Sequence, residues 1–455
     1  MERSTLARSA STILALFTRV HCRKIPFTVI ESFWPINFKS FRAAELPLSS
    51  LTVLVGANAS GKSNLIEGLQ LLSWLAQGRR LHELQTSVRD GELTLRGLEV
   101  GIHDPTTFHA KVSDSLLGPL ELRLTLGRAP DESLRIAGET LSATSLETES
   151  PLYSASIDDS APGALTIEYN NFSRGRKPKI QGIDQVAVFT QLTSPTRFDA
   201  RHTQSQQVIP QASRAIQTAL ESIRFLDPAP AQMRLYSFKN ETRLHSTGRN
   251  ISAVAARICQ TPEGKRALLD FVRALPEQEF TDVSFIETPR NEVMIQLVES
   301  FGGQSIPRDA GVLSDGTLRV LGVAAALLSA NEGTLVVIEE LDNGVHPARA
   351  RHLIDQIQRT ANQRNLRVLL TTHNPALMSA LGPEALNAVV VCYRDSFGHS
   401  SLVRLSDLDK FPELLSQGRL GEVATRGILE QHVKRKDEQP DYQAFFDVLE
   451  STHSP

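Results

Sequence analysis

The sequence predicts an α/β fold: a parallel sheet core, an antiparallel β part beside it, and a mixed α+β insertion. Three observations carry that reading. The apolar run Leu51-Thr52-Val53-Leu54-Val55 leads into a glycine-rich turn, and residues 64–75 then repeat apolar side chains at helical spacing. A second apolar run, Leu335-Val336-Val337-Ile338, ends in two acids, Glu339 and Glu340. Residues 318–385 alternate helix and strand patterns, as chains do when crossover helices join parallel strands.

Taken in order, residues 1–25 stand apart. Arg3, Arg8, Arg19, Arg23 and Lys24 face only Glu2, and the apolar stretch 13–17 is too short for a secretion signal and lacks a small-residue cleavage site. They read as a frayed extension or an over-long start. Residues 27–33 and 36–41 read as a strand pair, and 51–55 as a buried strand. Leu120, Leu122, Leu124 and Leu126 alternate with polar residues, as do Leu165, Ile167 and Tyr169, so both stretches read as strands. Between them, 142–163 is rich in Ser and Thr, carries two prolines, and reads as a loop. Helical patterns occupy 213–225 and 251–275, and strand patterns return at 283–286 and 293–298. A short helix is expected at 442–449, within a polar tail. The expected boundaries are therefore 26–130 for a first lobe, 131–250 for a variable insertion, 251–430 for a second lobe and 431–455 for the tail.

Composition narrows the function classes. A chain of 455 residues with 41% hydrophobic and 22% charged residues is ordinary globular material. Its formal net charge of −3 provides no global field for nucleic acid or acidic membranes, so any DNA binding must come from a local patch. Cys22, Cys259 and Cys392 are too few and too scattered for a disulfide framework or metal cluster, which fits a reducing, cytoplasmic setting. No apolar run approaches the roughly 20 residues of a membrane span.

The chemistry is concentrated in one motif and its downstream partners. Gly56-Ala57-Asn58-Ala59-Ser60-Gly61-Lys62-Ser63 fits G-x-x-x-x-G-K-[ST], after a strand and before a helix. Its glycines let backbone N–H groups wrap a polyphosphate at a helix N-terminus. Lys62 is expected to reach the β- and γ-phosphates and the Ser63 hydroxyl to bind Mg²⁺. Gly56, Asn58, Gly61 and Asn64 complete the expected nucleotide contacts. Glu339 and Glu340 sit at a strand's carboxyl end, where open α/β sheets bind ligands, one toward the metal and one toward the attacking water. Ser314 and Gly316 open an apolar helix and can bind phosphate through a hydroxyl and N–H groups. His373 follows another apolar strand, Val368-Leu369-Leu370, at a place suited to sensing the γ-phosphate.

This order, phosphate loop, long insertion, Leu-Ser-Asp-Gly, acidic strand, Asn343-Gly344-Val345-His346-Pro347 turn and strand-end His, resembles the ABC-type ATPase heads of the RecF, SMC and OLD group. It is most similar to the small AAA-family ATPases of bacteria and archaea without a long coiled coil. Asn37-Phe38-Lys39-Ser40-Phe41 and Ser222-Ile223-Arg224-Phe225 with Asp227-Pro228 share the likeness, which covers roughly residues 27–430. It implies a P-loop NTPase head that takes ATP and Mg²⁺. Lys62 and Ser63 become Walker A residues, Glu339 the Walker B acid, and Glu340 the base that polarises water. Ser314 and Gly316 become signature residues serving another subunit's γ-phosphate, His346 a D-loop residue, His373 the switch histidine, and Lys39 a neighbour of the nucleotide. Glu339 stands where ABC proteins commonly have Asp, and Leu341-Asp342 where the subgroup has Pro-Glu. No Q-loop glutamine is assignable; Gln191 is the candidate. The paired motifs imply a homodimer or higher homo-oligomer closing around ATP.

OLD-type relatives carry a TOPRIM nuclease with a glutamate and a later Asp-x-Asp. Asp407-Leu408-Asp409 matches only by letter, with too little chain after it. Arg174, Arg176, Lys177 and Lys179 form a basic cluster that reads as a solvated hairpin loop, with DNA phosphate contact as the competing reading. The expected function is an ATP-driven switch acting on DNA in repair, chromosome maintenance or phage defence. The alternative is an ATP-gated scaffold for a separately encoded effector nuclease or toxin. A transporter subunit is disfavoured, because no compact helical insert precedes the signature.

Overall fold

The computed structural model describes residues 27–89, 95, 102–146, 150–273, 279–302, 304–340, 347–408, 411, 416 and 418–436. The extension 1–25, His346, which was expected in a D-loop, Asp409 and the helix expected at 442–449 lie outside them.

The strands in chain order are β1 (Thr28–Phe38), β2 (Phe41–Ala43), β3 (Leu46–Pro47), β4 (Thr52–Val55) and β5 (Ile102–Asp114). Next come β6 (Gly118–Arg128), β7 (Leu134–Ala143), β8 (Tyr153–Ile157), β9 (Ala164–Tyr169) and β10 (Lys179–Ile183). They are followed by β11 (Arg224–Leu226), β12 (Ser237–Phe238), β13 (Phe280–Glu287), β14 (Glu292–Phe301) and β15 (Gln304–Asp309). The last are β16 (Leu335–Ile338), β17 (Arg367–Thr372), β18 (Val389–Arg394) and β19 (Ser400–Arg404).

Among the described residues one 15-stranded sheet runs β10-β9-β8-β7-β6-β5-β1-β2-β19-β18-β4-β17-β16-β11, with β3 paired to β1. From β18 to β11 all neighbours are parallel, and from β1 out to β10 all are antiparallel. A second, antiparallel sheet holds β12 to β15. The predicted α/β class, a parallel core with an antiparallel part, is the fold observed.

The parallel strands are apolar throughout because both of their faces are covered. Side chains alternate along a strand, so Val53, Val55, Val336, Ile338, Val368 and Leu370 enter one core, while Leu54, Leu335, Val337 and Leu369 enter the other. The first core is closed by the helices Ile251–Ile258, Asp315–Ser329 and Pro347–Gln363, and the second by Lys62–Ala76 and Thr203–Glu221.

Four local readings change. The expected pair at 27–41 is one long strand, β1, that turns at Lys39 and Ser40 into β2; Pro35 stays inside it, since proline's fixed φ suits extended backbone. The loop expected at 142–163 contains β8, whose Tyr153 and Ala155 are buried while the intervening serines face outward. The helix expected at 213–225 begins ten residues earlier, at Thr203, accommodates Pro210, and stops so that Arg224–Leu226 can join the parallel sheet. The helix expected at 251–275 is two helices, because Thr261 caps a new one: its side chain accepts the Gly264 N–H, with Pro262 in the first turn.

One buried acid ties β7 to residues 188–191. Glu139 on β7 accepts hydrogen bonds from the Tyr153 hydroxyl at 2.6 Å and from the N–H groups of Val188 at 2.7 Å and Phe189 at 2.6 Å, tying a short helix to the sheet. Burial pushes its carboxyl up to about 7, against the pull of those three donors. In the unfolded chain it ionises near its ordinary 4.5, so between the two values the folded state keeps a proton that the unfolded state has lost. Stability from this group is full below the lower value and falls as pH rises through the upper one, by about 3 kcal/mol at most. Urea melts at about pH 5 and about pH 8 should show this loss in wild type but not in Glu139→Gln. Equal changes in both would mean that the carboxyl stays ionised.

Candidate nucleotide site

Parallel register assembles the site. β4 pairs with β17 so that Val55 stands opposite Thr372, and β16 pairs with β17 so that Ile338 stands opposite Leu370. The residues that follow these strand ends therefore emerge on one edge: the loop from Gly56, the acids Glu339 and Glu340, and His373. This is the carboxyl edge at which open α/β sheets bind ligands. A cleft of about 310 Å³ lies there, lined by Asn58, Ala59, Ser60, Gly61, Lys62, Ser63, Asn64, Ile66, Glu339, Glu340, Thr371, Thr372, His373 and Arg394.

The loop's glycines are dictated by close neighbours. Gly61 has φ +120, and a Cβ on it would collide with the Ser400 side chain; a Cβ on Gly56 would collide with the Cys392 carbonyl oxygen. The loop is held from below. Asn64 Nδ2 donates to Ser40 Oγ at 2.7 Å, Ser40 Oγ meets Ser400 Oγ at 2.7 Å, and Ser400 Oγ donates to the Ser60 carbonyl at 2.6 Å. Arg394 Nε donates to the Ala59 carbonyl at 3.0 Å. Lys62 Nζ donates to the carbonyls of Gly56 at 2.7 Å and Ala57 at 2.9 Å, which draws its ammonium against the loop.

The acids leave the strand before they act. β16 ends at Ile338, and Glu339 N–H donates to the Leu226 carbonyl at 2.9 Å, so β11 braces it. Glu340 adopts φ +47, and its N–H donates to Thr371 Oγ1 at 3.2 Å. With this left-handed turn after β16, both residues line the same cleft. A non-glycine residue in that region costs about 1–3 kcal/mol, and such strain clusters at functional sites. His373 lies between two anchored neighbours, since Asn374 N–H donates to Thr372 Oγ1 at 3.0 Å and Asn374 caps the next helix by accepting the Ala376 N–H at 2.9 Å. The Ser63 hydroxyl and Glu339 carboxylate are hard oxygen donors of the kind Mg²⁺ takes.

Other expected residues lie elsewhere. Lys39 does not line the cleft; its ammonium is ion-paired with Glu67, both side chains being buried. Ser314 caps the helix Asp315–Ser329, accepting the Thr317 N–H at 3.1 Å, and neither it nor Gly316 is among the cleft's described lining residues. Asp315 beside them pairs with Arg234 at 2.6 Å. Gln191 is engaged at the edge strand β10, where it accepts the Ile183 N–H at 3.0 Å and donates to the Ile183 carbonyl at 2.9 Å. Arg394 and Ser400 were invisible in the sequence, since no local pattern marks groups that meet the loop only through tertiary packing; Ser40 lay in a quoted motif, but its hold on the loop was not foreseen.

Comparison with known proteins adds four findings. A model of the family described as "AAA domain, putative AbiEii toxin, Type IV TA system" matches residues 51–187 and 196–379, more than half of the chain. The DNA replication and repair protein RecF of Gloeobacter violaceus is 38% identical over 105 residues, covering 23% of this chain and 24% of that protein. The Old nuclease of Escherichia phage P2 is 22% identical over 403 residues, covering 83% of this chain and 61% of the nuclease. The chain thus spans about a quarter of the length of the RecF relatives it matches. The Smc head domain with an extended coiled coil bound to the C-terminal domain of ScpA, from Pyrococcus furiosus, aligns with a TM-score of 0.45 at 13% identity, covering 86% of this chain and 99% of that one. No helix of the described residues is long and apolar enough to cross a membrane.

Proposed function

Because the chain belongs to the AAA domain family whose model it matches, we propose that it binds and hydrolyses ATP, that two copies close around the nucleotide, and that this cycle is a switch acting on DNA. One observation carries the reading: the phosphate loop, both acids and His373 converge on a single cleft, while Ser314 and Gly316 stand at a helix start outside it.

In this reading the loop N–H groups and Lys62 hold the β- and γ-phosphates. Ser63 and Glu339 hold Mg²⁺, which when bound neutralises developing phosphate charge. Glu340 accepts a proton from the attacking water, and His373 donates to the γ-phosphate as charge builds on it. The signature Ser314 and Gly316 complete the site of a second copy. Product release then lets the pair separate.

The DNA role is supported by the similarity to RecF, a DNA replication and repair protein. A second reading, an ATP-gated scaffold for a separately encoded effector, is supported by the family description, which names a toxin of a type IV toxin–antitoxin system. Steady-state ATP turnover with and without linear duplex DNA separates them. Stimulation by DNA is the expected result; turnover indifferent to DNA would favour the effector reading.

A further inference from the structure

A second concavity, about 430 Å³, lies far from the nucleotide cleft, at the opposite end of the large sheet. It is lined by Asn171, Arg176, Lys177, Pro178, Lys179 and His202. The sheet order places β9 and β10, which flank this turn, at the outer edge, with β8, β7, β6, β5, β1, β2, β19 and β18 between them and β4. From the sequence alone the basic cluster at 174–179 reads as a solvated hairpin. The fold adds His202, from the start of the helix Thr203–Glu221, to the same hollow. The lining then holds three permanent cations and a histidine, and no carboxylate.

The floor of this hollow is built and its rim is free. Lys177 Nζ donates to Asn170 Oδ1 at 3.1 Å and to the Ser173 carbonyl at 2.9 Å, which fixes the turn, and His202 Nδ1 meets the Tyr169 hydroxyl at 2.8 Å. Lys179 is partly neutralised by Glu168 at 2.7 Å. Arg174 and Arg176 are exposed and form no ion pair among the described residues. Two guanidiniums without an ion pair among the described residues, beside a hollow whose one adjoining ion-paired carboxylate, Glu168, is held by Lys179, are a local positive site on a chain whose net charge is −3.

We infer that this hollow is a contact site for the phosphodiester backbone of DNA. Guanidinium groups match phosphate geometry in a bidentate fashion. A pocket for one free phosphate would enclose it with buried donors, whereas here the cations spread along an open rim at a sheet edge, which suits a passing polymer. This inference rests on the DNA reading of the ATPase cycle. It adds where that DNA touches the molecule, at a surface remote from the nucleotide.

The test is fluorescence anisotropy of a labelled linear duplex with the full-length chain across a salt series, comparing wild type, Arg174→Ala/Arg176→Ala and Arg174→Lys/Arg176→Lys. Each lost phosphate contact should lower the slope of log K against log salt by about 0.9. The alanine pair should therefore bind more weakly with a flatter slope, and the lysine pair should keep the wild-type slope. Turnover without DNA and thermal melting should not change, since both side chains are exposed and outside the cleft. Wild-type binding with an unchanged slope in the alanine pair would overturn the site and leave the DNA reading standing. If wild type binds no duplex and its turnover ignores DNA, the site and the DNA reading both fall.

Discussion

Glu340→Gln is expected to lower ATP turnover by about 10²- to 10⁴-fold, the usual contribution of a positioned general base, while ATP still binds. The amide keeps the size and shape of the side chain but cannot take a proton from water. The backbone position should survive, because its N–H donated to Thr371 Oγ1 does not depend on the side chain's charge. The same variant should accumulate the ATP-bound pair, so light scattering should show a larger species with ATP than without it. A turnover loss of less than about tenfold would move the base role away from Glu340, with His373 and Glu339 as the remaining candidates in the cleft. A normal loss with no larger species would retain the base and remove the two-copy closure.

Lys62→Ala should instead remove nucleotide affinity. Its ammonium is held against the loop by the Gly56 and Ala57 carbonyls, so it is placed at the cradle before any phosphate arrives. Deleting one partner of a hydrogen-bonded charge pair costs about 2–5 kcal/mol, or roughly 30-fold to several-thousand-fold in affinity. Titration calorimetry with ATP and Mg²⁺ measures this directly. The variant should fold normally: Lys62 is only half-buried, while Gly61 and Ser400 carry the packing of the loop. Affinity within about threefold of wild type, a difference of about 0.7 kcal/mol, would show that Lys62 does not hold the phosphates.

What was legible in the sequence was what local pattern encodes. The strand, glycine turn and helix around Gly56 to Ser63 are contiguous, and each apolar strand announces its own carboxyl end, so Glu339, Glu340 and His373 could be named before their meeting place was known. What was not legible depends on distant partners. The family resemblance put Lys39 near the nucleotide, yet its ammonium is ion-paired with Glu67, on the helix after the phosphate loop. Ser400 and Arg394 support the loop across more than 330 positions of chain. β8 and β11 are short strands whose pairing partners, rather than their composition, make them strands. The helix expected from residue 213 starts at Thr203 and holds Pro210 inside it, its inner face packed against the core beside Lys62–Ala76. The left-handed turn at Glu340, which follows β16, had no signal in the sequence.

The central claim is that the cleft at the ends of β4, β16 and β17 hydrolyses ATP. Its most direct test is steady-state phosphate release from ATP and Mg²⁺ by the purified full-length chain, measured beside Lys62→Ala prepared in the same way. The account predicts turnover in wild type that is lost in the variant. Absence of turnover in wild type, or equal turnover in both, would contradict it.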